Sequence, residues 1–305
     1  MSETTRRILS AAILVPLFLF SFYYSGWYYI QLFVFCCIPI YLGIKEFYSF
    51  SNREDEGKPF QKTGFFYGIL MYLVAYLQFI QTQTHNPLPR DISLTLSKII
   101  PPDINILFPI LFLLFVHVYL LQILTRPLEG AIFSTSSTIA GVIYLVIPNV
   151  YFLKVIALER GIYYIWIVAG LTFLTDAGAY FGGRWFGRHP AGLKISPKKT
   201  WEGYITGIIT ALVYTFSVTY FWRPVTGQDP GFSYFELLLF TPLFSLISVI
   251  GDLAESAMKR DARVKESASV IPGHGGLLDL GDAIFFTMPC AFFYLSLKLH
   301  LGFTI

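Results

Sequence analysis

The chain has 305 residues, of which 55% are hydrophobic, 18% aromatic and only 13% charged, with a mean hydropathy of +0.60. A soluble domain carries about 25% charged residues, so a disordered chain and a water-soluble globular enzyme are both excluded. The apolar runs do not alternate as membrane β-strands do, and a net charge of +3 is too small to point to nucleic acid.

A helix needs about 20 apolar residues to cross a bilayer. In chain order the predicted spans are 8–24, 27–50, 64–82, 104–124, 131–153, 162–182, 204–222, 234–252 and 283–303. The expected fold is therefore all-α: a polytopic integral membrane helical bundle of about nine transmembrane helices. Arg6 and Arg7 precede the first span as in a signal peptide. No small-x-small cleavage site follows, so this span is expected to be retained. Pro109 and Pro148 interrupt the fourth and fifth runs, which membrane helices tolerate when neighbours satisfy the freed carbonyls. Cys36, Cys37 and Cys290 lie in apolar runs without metal-ligand spacing and are expected to be small buried side chains.

Lys and Arg set the orientation. With the N-terminus in the cytoplasm, 16 of the 22 basic residues fall on inside segments and 6 outside. This places the polar loops 183–203 and 253–282 together on the cytoplasmic side. Residues 1–160 are expected to form an N-terminal set of membrane helices for scaffolding, dimerisation or lipid entry. Residues 161–305 are expected to form the catalytic region.

The first polar constellation centres on Asp176, inside an apolar run rich in small residues: Ala177, Gly178, Ala179, Gly182 and Gly183. Helix packing explains the small residues. It does not explain an acid at membrane depth, which costs about 2.5–3.5 kcal/mol and so needs a partner or a function. The second is Ser196-Pro197-Lys198-Lys199-Thr200-Trp201-Glu202-Gly203. Ser196 before Pro197 reads as a helix N-cap, and a helix N-terminus beside two lysines suits a phosphate. A positive loop with an interfacial Trp fits the same residues.

The third constellation runs from Gly251 to Asp282. If the eighth span continues as a helix, Asp252, Glu255, Ser256, Lys259 and Arg263 share one face, with acids nearer the membrane and bases nearer water. Pro272-Gly273-His274-Gly275-Gly276 then breaks that helix. Glycine amides can converge there on an oxyanion. Asp279 and Asp282 follow at i and i+3, and two carboxylates beside such a turn suit Mg²⁺. There is no Walker A sequence, no nucleophile elbow and no His/Cys zinc cluster. Residue chemistry alone reaches metal-assisted transfer involving phosphates at a cytoplasmic membrane face.

Ser256-Ala-Met-Lys259-Arg260, Lys265, Pro272-Gly-His274-Gly-Gly and Asp279…Asp282 resemble the signature of phosphatidate cytidylyltransferases, also called CDP-diacylglycerol synthases. The segments starting at Asp176 and Ser196 are also similar to that family. The specific resemblance covers about 170–290. It implies a polytopic homodimer; with no organelle address visible, the expected location is a bacterial inner (plasma) membrane, multi-pass, and the basic residues put the active site on the cytoplasmic side. It implies CTP and phosphatidate as substrates, CDP-diacylglycerol and pyrophosphate as products, and Mg²⁺, alone or with a second cation. The implied roles are metal binding for Asp252, Asp279, Asp282 and Asp176, and catalysis for Ser256, Lys259, Arg260 and His274. Substrate binding falls to Lys198, Lys199, Arg263, Lys265, Gly273, Gly275 and Gly276. Two positions depart from the family pattern: Leu280 stands where an Arg is usual, followed by Gly281, and Glu266 stands for an Asp. Leu cannot supply the bidentate partner that Arg would. The competing readings are a CTP-dependent polyprenol or phytol kinase, an inactive membrane paralogue acting as a scaffold, and a transporter.

Overall fold

The computed structural model describes residues 29–53, 57–83, 88–264, 267–268 and 276–302. The expected span at 8–24, and Lys265, Glu266, Gly273, His274 and Gly275, lie outside the described residues. Among the described residues, nine helices follow in chain order: α1 (Ile30–Phe50), α2 (Gln61–Thr82), α3 (Arg90–Ile99), α4 (Leu107–Thr125), α5 (Ala131–Ile156), α6 (Gly161–Phe186), α7 (Trp201–Thr226), α8 (Tyr234–Asp261) and α9 (Leu277–Leu301). All but α3 are long and apolar enough to cross a membrane. The described residues contain no strand, only two isolated bridges. The chain is thus a multi-pass helical membrane protein, and each of the eight spans overlaps one expected from hydropathy.

Prolines explain little of the element boundaries. Pro109 sits in the first turn of α4, where its missing N–H has no intrahelical acceptor anyway. Pro148 lies inside α5, which continues through it. The neighbouring Asn149 donates from Nδ2 to Leu145 O at 2.7 Å.

Where polar residues end the spans, the structure corrects three sequence expectations. The helix after the Lys198-Lys199 loop does not begin at Ser196. Ser196 O accepts from Lys199 N at 3.2 Å in a turn, and Thr200 caps α7 by accepting from Gly203 N at 3.2 Å. Pro197 constrains a tight turn here instead of opening a helix. The second correction is that α8 ends at Asp261, well before Pro272, with Arg263 in the left-handed region at φ 58°. Arg263 therefore leaves the charged face that it would share with Asp252 on a longer helix. The third is that Cys36 is buried, Cys37 half-buried and Cys290 exposed on α9. A span facing lipid does not need to bury a small apolar side chain.

The chain divides into two compact units: Met1–Leu153 with Ala262–Leu280, and Lys154–Asp261 with Gly281–Ile305. In the first, Leu32, Ile40, Ile44, Met71, Tyr72, Leu114 and Leu145 are fully buried. Tyr48, also fully buried, donates to Thr138 O at 2.8 Å. Phe60 N reaches Thr138 Oγ1 at 2.8 Å, and the Arg126 guanidinium stacks 3.8 Å from the Phe60 ring.

The first unit also holds the start of α9. The first amides of a helix have no intrahelical acceptor. Glu46 of α1, 5% exposed, supplies one: Leu277 N donates to Oε1 at 3.0 Å and Leu278 N to Oε2 at 2.9 Å. Asp279 accepts on Oδ2 from Ser267 N, Ser267 Oγ and Gly276 N, at 2.9, 2.7 and 2.8 Å.

In the second unit, α6 and α7 approach closely. A Cβ on Gly207 would lie 2.6 Å from Thr175 O, and one on Gly203 2.8 Å from Ala179 O. Lipid tails give helices little hydrophobic reason to associate, so close backbone contact and interhelical hydrogen bonds hold them. Hydroxyl pairs supply the bonds: Tyr163 with Thr219, Thr172 with Thr287, Thr175 with Ser245, and Thr215 with Thr241, at 2.7, 3.0, 2.9 and 3.0 Å. At the far end of α8 and α9, buried Glu236 accepts from Lys298 Nζ at 2.6 Å and Tyr294 OH at 3.0 Å.

Candidate active site

The second unit gathers four carboxylates from three helices. Asp176 lies on α6, Asp252 and Glu255 on α8, and Asp282 on α9. Asp282 is 8% exposed and Glu255 fully buried. Asp282 interacts electrostatically with Asp252, Asp176 and Glu255, and Asp176 with Asp252 and Lys199. Like charges brought together at membrane depth need a counter-charge.

Two lysines supply part of it. Lys199, held by the turn before α7, forms an ion pair with Asp252. Its Nζ also lies 5.8 Å from the centre of the Tyr204 ring. Lys259 pairs with Glu255 at i, i+4 on α8. Four carboxylates against two ammonium groups leave an excess of negative charge when all are ionised.

The donor chemistry of this cluster suits a hard cation: carboxylate oxygens, with no thiolate or imidazole among them. Among the described residues, no group of three or more His, Cys, Asp or Glu side chains is arranged to hold a metal ion by itself. Mg²⁺ does not require such a cage, because it takes one or two carboxylates and fills its octahedron with waters and substrate phosphates. The residues present therefore fit a Mg²⁺ whose remaining ligands are waters or substrate phosphates.

Of the residues expected from sequence, Asp176, Lys199, Asp252, Lys259 and Asp282 come together in this cluster. Ser256 is half-buried on α8 beside Glu255, and Arg260 is exposed. Lys198 is exposed in the turn, while Lys199 is half-buried. Asp279, Gly276 and Arg263 belong to the first unit. There the Gly276 amide meets an oxyanion, but it is the chain's own Asp279 carboxylate.

Glu255 stands on the charged face expected for α8 but carried no assigned role. Glu46 was missed altogether. Its one signal was an acid next to Lys45 at the end of an apolar run, and charge counting for orientation hides such a residue. Glu202, also unassigned, accepts from Arg188 N at 3.1 Å and meets His189 Nδ1 at 2.5 Å, and so ties the start of α7 to the end of α6.

The family model for the cytidylyltransferase family matches residues 5–298. A phosphatidate cytidylyltransferase of Bacillus subtilis is 41% identical over 148 residues, 48% of this chain and 53% of the relative. One of Haemophilus influenzae is 41% identical over 136 residues, 44% of this chain and 46% of the relative. One of Staphylococcus haemolyticus is 40% identical over 129 residues. The matched stretch spans about half the length of these relatives.

Proposed function

We propose, from the premise that the chain belongs to the cytidylyltransferase family, that it is a phosphatidate cytidylyltransferase. It would convert CTP and phosphatidate into CDP-diacylglycerol and pyrophosphate. The observation that carries this reading is the excess of carboxylates over lysines among Asp176, Asp252, Glu255 and Asp282. A site of that charge excludes a bare phosphate and accepts one that comes with a cation.

In this reading a phosphatidate phosphate oxygen attacks the α-phosphorus of CTP. The bond from the α-phosphorus to the oxygen bridging to the β-phosphorus breaks, and pyrophosphate leaves with that electron pair. The nucleophile is already an anion, so no side chain has to remove a proton. The residues instead position the groups and offset charge. Asp252 and Asp282 would hold Mg²⁺, with Asp176 beside them, and the resemblance adds Asp279. The cation, when bound, neutralises charge on the phosphate oxygens. Lys199, tethered to Asp252, is placed to turn its ammonium towards an incoming phosphate. Lys259 does the same from Glu255, and Arg260 offers an exposed guanidinium one residue on. The substrate-binding residues Lys265, Gly273 and Gly275, and the phosphate-binding His274, enter through the resemblance. We further read the site as facing the cytoplasm of a bacterial inner membrane, as the basic residues predict, and the protein as a homodimer.

The test uses the full-length protein in detergent with phosphatidate, Mg²⁺ and CTP labelled in the cytosine ring. Label is expected in the lipid fraction and is lost when Mg²⁺ is omitted. If only the γ-phosphate of CTP enters lipid, the protein is a lipid kinase. If folded protein binds CTP and transfers nothing, the cytidylyl reading fails.

A further inference from the structure

Thr241, Ser245, Ser248, Asp252, Glu255 and Lys259 follow one another at spacings of four, three, four, three and four along α8. This spacing lines them up as one polar stripe on the helix. Thr241 pairs with Thr215, Ser245 with Thr175, Asp252 with Lys199, and Glu255 with Lys259. Among the described residues Ser248 breaks the series: it is fully buried and its Oγ has no hydrogen-bond partner. Other buried hydroxyls of this unit also donate back to their own helix, as Thr172 does to Val168 O and Thr175 to Leu171 O, both at 2.7 Å. Ser248 does not.

A buried hydroxyl without a partner is costly in a native protein and signals an unseen water or ion. Ser248 lies one turn before Asp252, and helix side chains lean towards the N-terminus. The two residues therefore share one face of α8, a single turn apart. A second hydroxyl of this unit, Tyr204 OH, is also buried without a hydrogen-bond partner, and the centre of its ring lies 5.8 Å from Lys199 Nζ, the partner of Asp252. We propose that Ser248 is an oxygen ligand of the divalent cation held by Asp252, and forms the floor of the acidic site. A neutral hydroxyl adds a hard oxygen without adding charge to an already acidic cluster. The proposal rests on the reading of that cluster as a cation site.

The experiment titrates Mn²⁺ into full-length protein in nanodiscs without nucleotide and follows free Mn²⁺ by electron paramagnetic resonance. Wild type binds, and Asp252→Asn abolishes binding. Ser248→Ala weakens it by about 10-fold, the scale of lost metal-site support. Without metal, Ser248→Ala melts no lower than wild type, because it removes an unsatisfied hydroxyl. Ser248→Cys, nearly isosteric, shifts preference from Mn²⁺ towards Cd²⁺, since sulfur is the softer donor. If Ser248→Ala binds Mn²⁺ like wild type while Asp252→Asn does not, the role of Ser248 is overturned and the cation site stands. Wild-type protein that binds no Mn²⁺ overturns both.

Discussion

Lys198 and Lys199 are neighbours in the sequence with unlike surroundings. Lys198 is exposed, whereas Lys199 is half-buried and paired with Asp252. Lys199→Ala leaves a part-buried carboxylate beside Asp176 and Asp282 without its ammonium and, in the proposed reaction, removes a cation from the reacting phosphates. The expected loss in kcat is roughly 100- to 1,000-fold, the scale of losing one aligned charge in a transition state. Lys198→Ala should change KM for CTP by less than about 5-fold, the scale of an exposed charge. Steady-state kinetics on both variants checks the contrast, and equal losses would remove the distinction. Leu280 poses a second residue-level question. Restoring a guanidinium by Leu280→Arg should raise turnover several-fold, and unchanged turnover of the purified variant would show that Leu280 does not weaken the site. Both residues show how far motif reading reaches: residue types name candidates, but burial separates one lysine from the next.

At the level of helices, one junction in each unit stands out. The α6–α7 contact depends on Gly207 and Gly203, each facing a backbone carbonyl of α6. Gly207→Leu forces those backbones apart and should cost about 1–3 kcal/mol, the usual cost of overpacking. A lowered melting temperature in detergent would reveal it. The start of α9 depends on Glu46, which accepts from two first-turn amides and, at 3.0 Å, from Ser267 Oγ. Glu46→Ala should destabilise the protein by about 1–3 kcal/mol, since it strands buried donors. Hydrogen exchange should rise at 277–280. Exchange unchanged at those amides would mean that water replaces the carboxylate without loss. Hydropathy predicts no element at α3. Its apolar residues Ile92, Leu96 and Ile99 recur on one face, but at 10 residues it is too short to cross a bilayer.

For the whole molecule, the distribution of Lys and Arg makes a prediction about sidedness. In a cysteine-free background, Arg188→Cys and Asp261→Cys should react with a membrane-impermeant maleimide only from the cytoplasmic side. Ser97→Cys should react only from the opposite side. Reversed labelling would invert the proposed topology without touching the fold.

The eight described spans were legible because membrane insertion depends on additive transfer of side chains from water to hydrocarbon, which runs of Phe, Leu, Ile and Tyr report directly. Asp176 and Asp252 stand out for the same reason, as charges in or directly after an apolar run, and Asp282 as the i+3 partner of Asp279 after a glycine turn. Helix ends were less so. Thr200 rather than Ser196 caps α7, and Arg263 turns away from α8, because hydrogen bonds between neighbouring turns choose among several equally good caps. The sequence places Glu255 on the charged face of its helix but does not show its burial, and it gives Glu46 and Ser248 no role. Whether a polar side chain is paired, capping or orphaned depends on what packs against it, and residues more than 200 positions apart supply that contact, as Glu46 and Ser267 do.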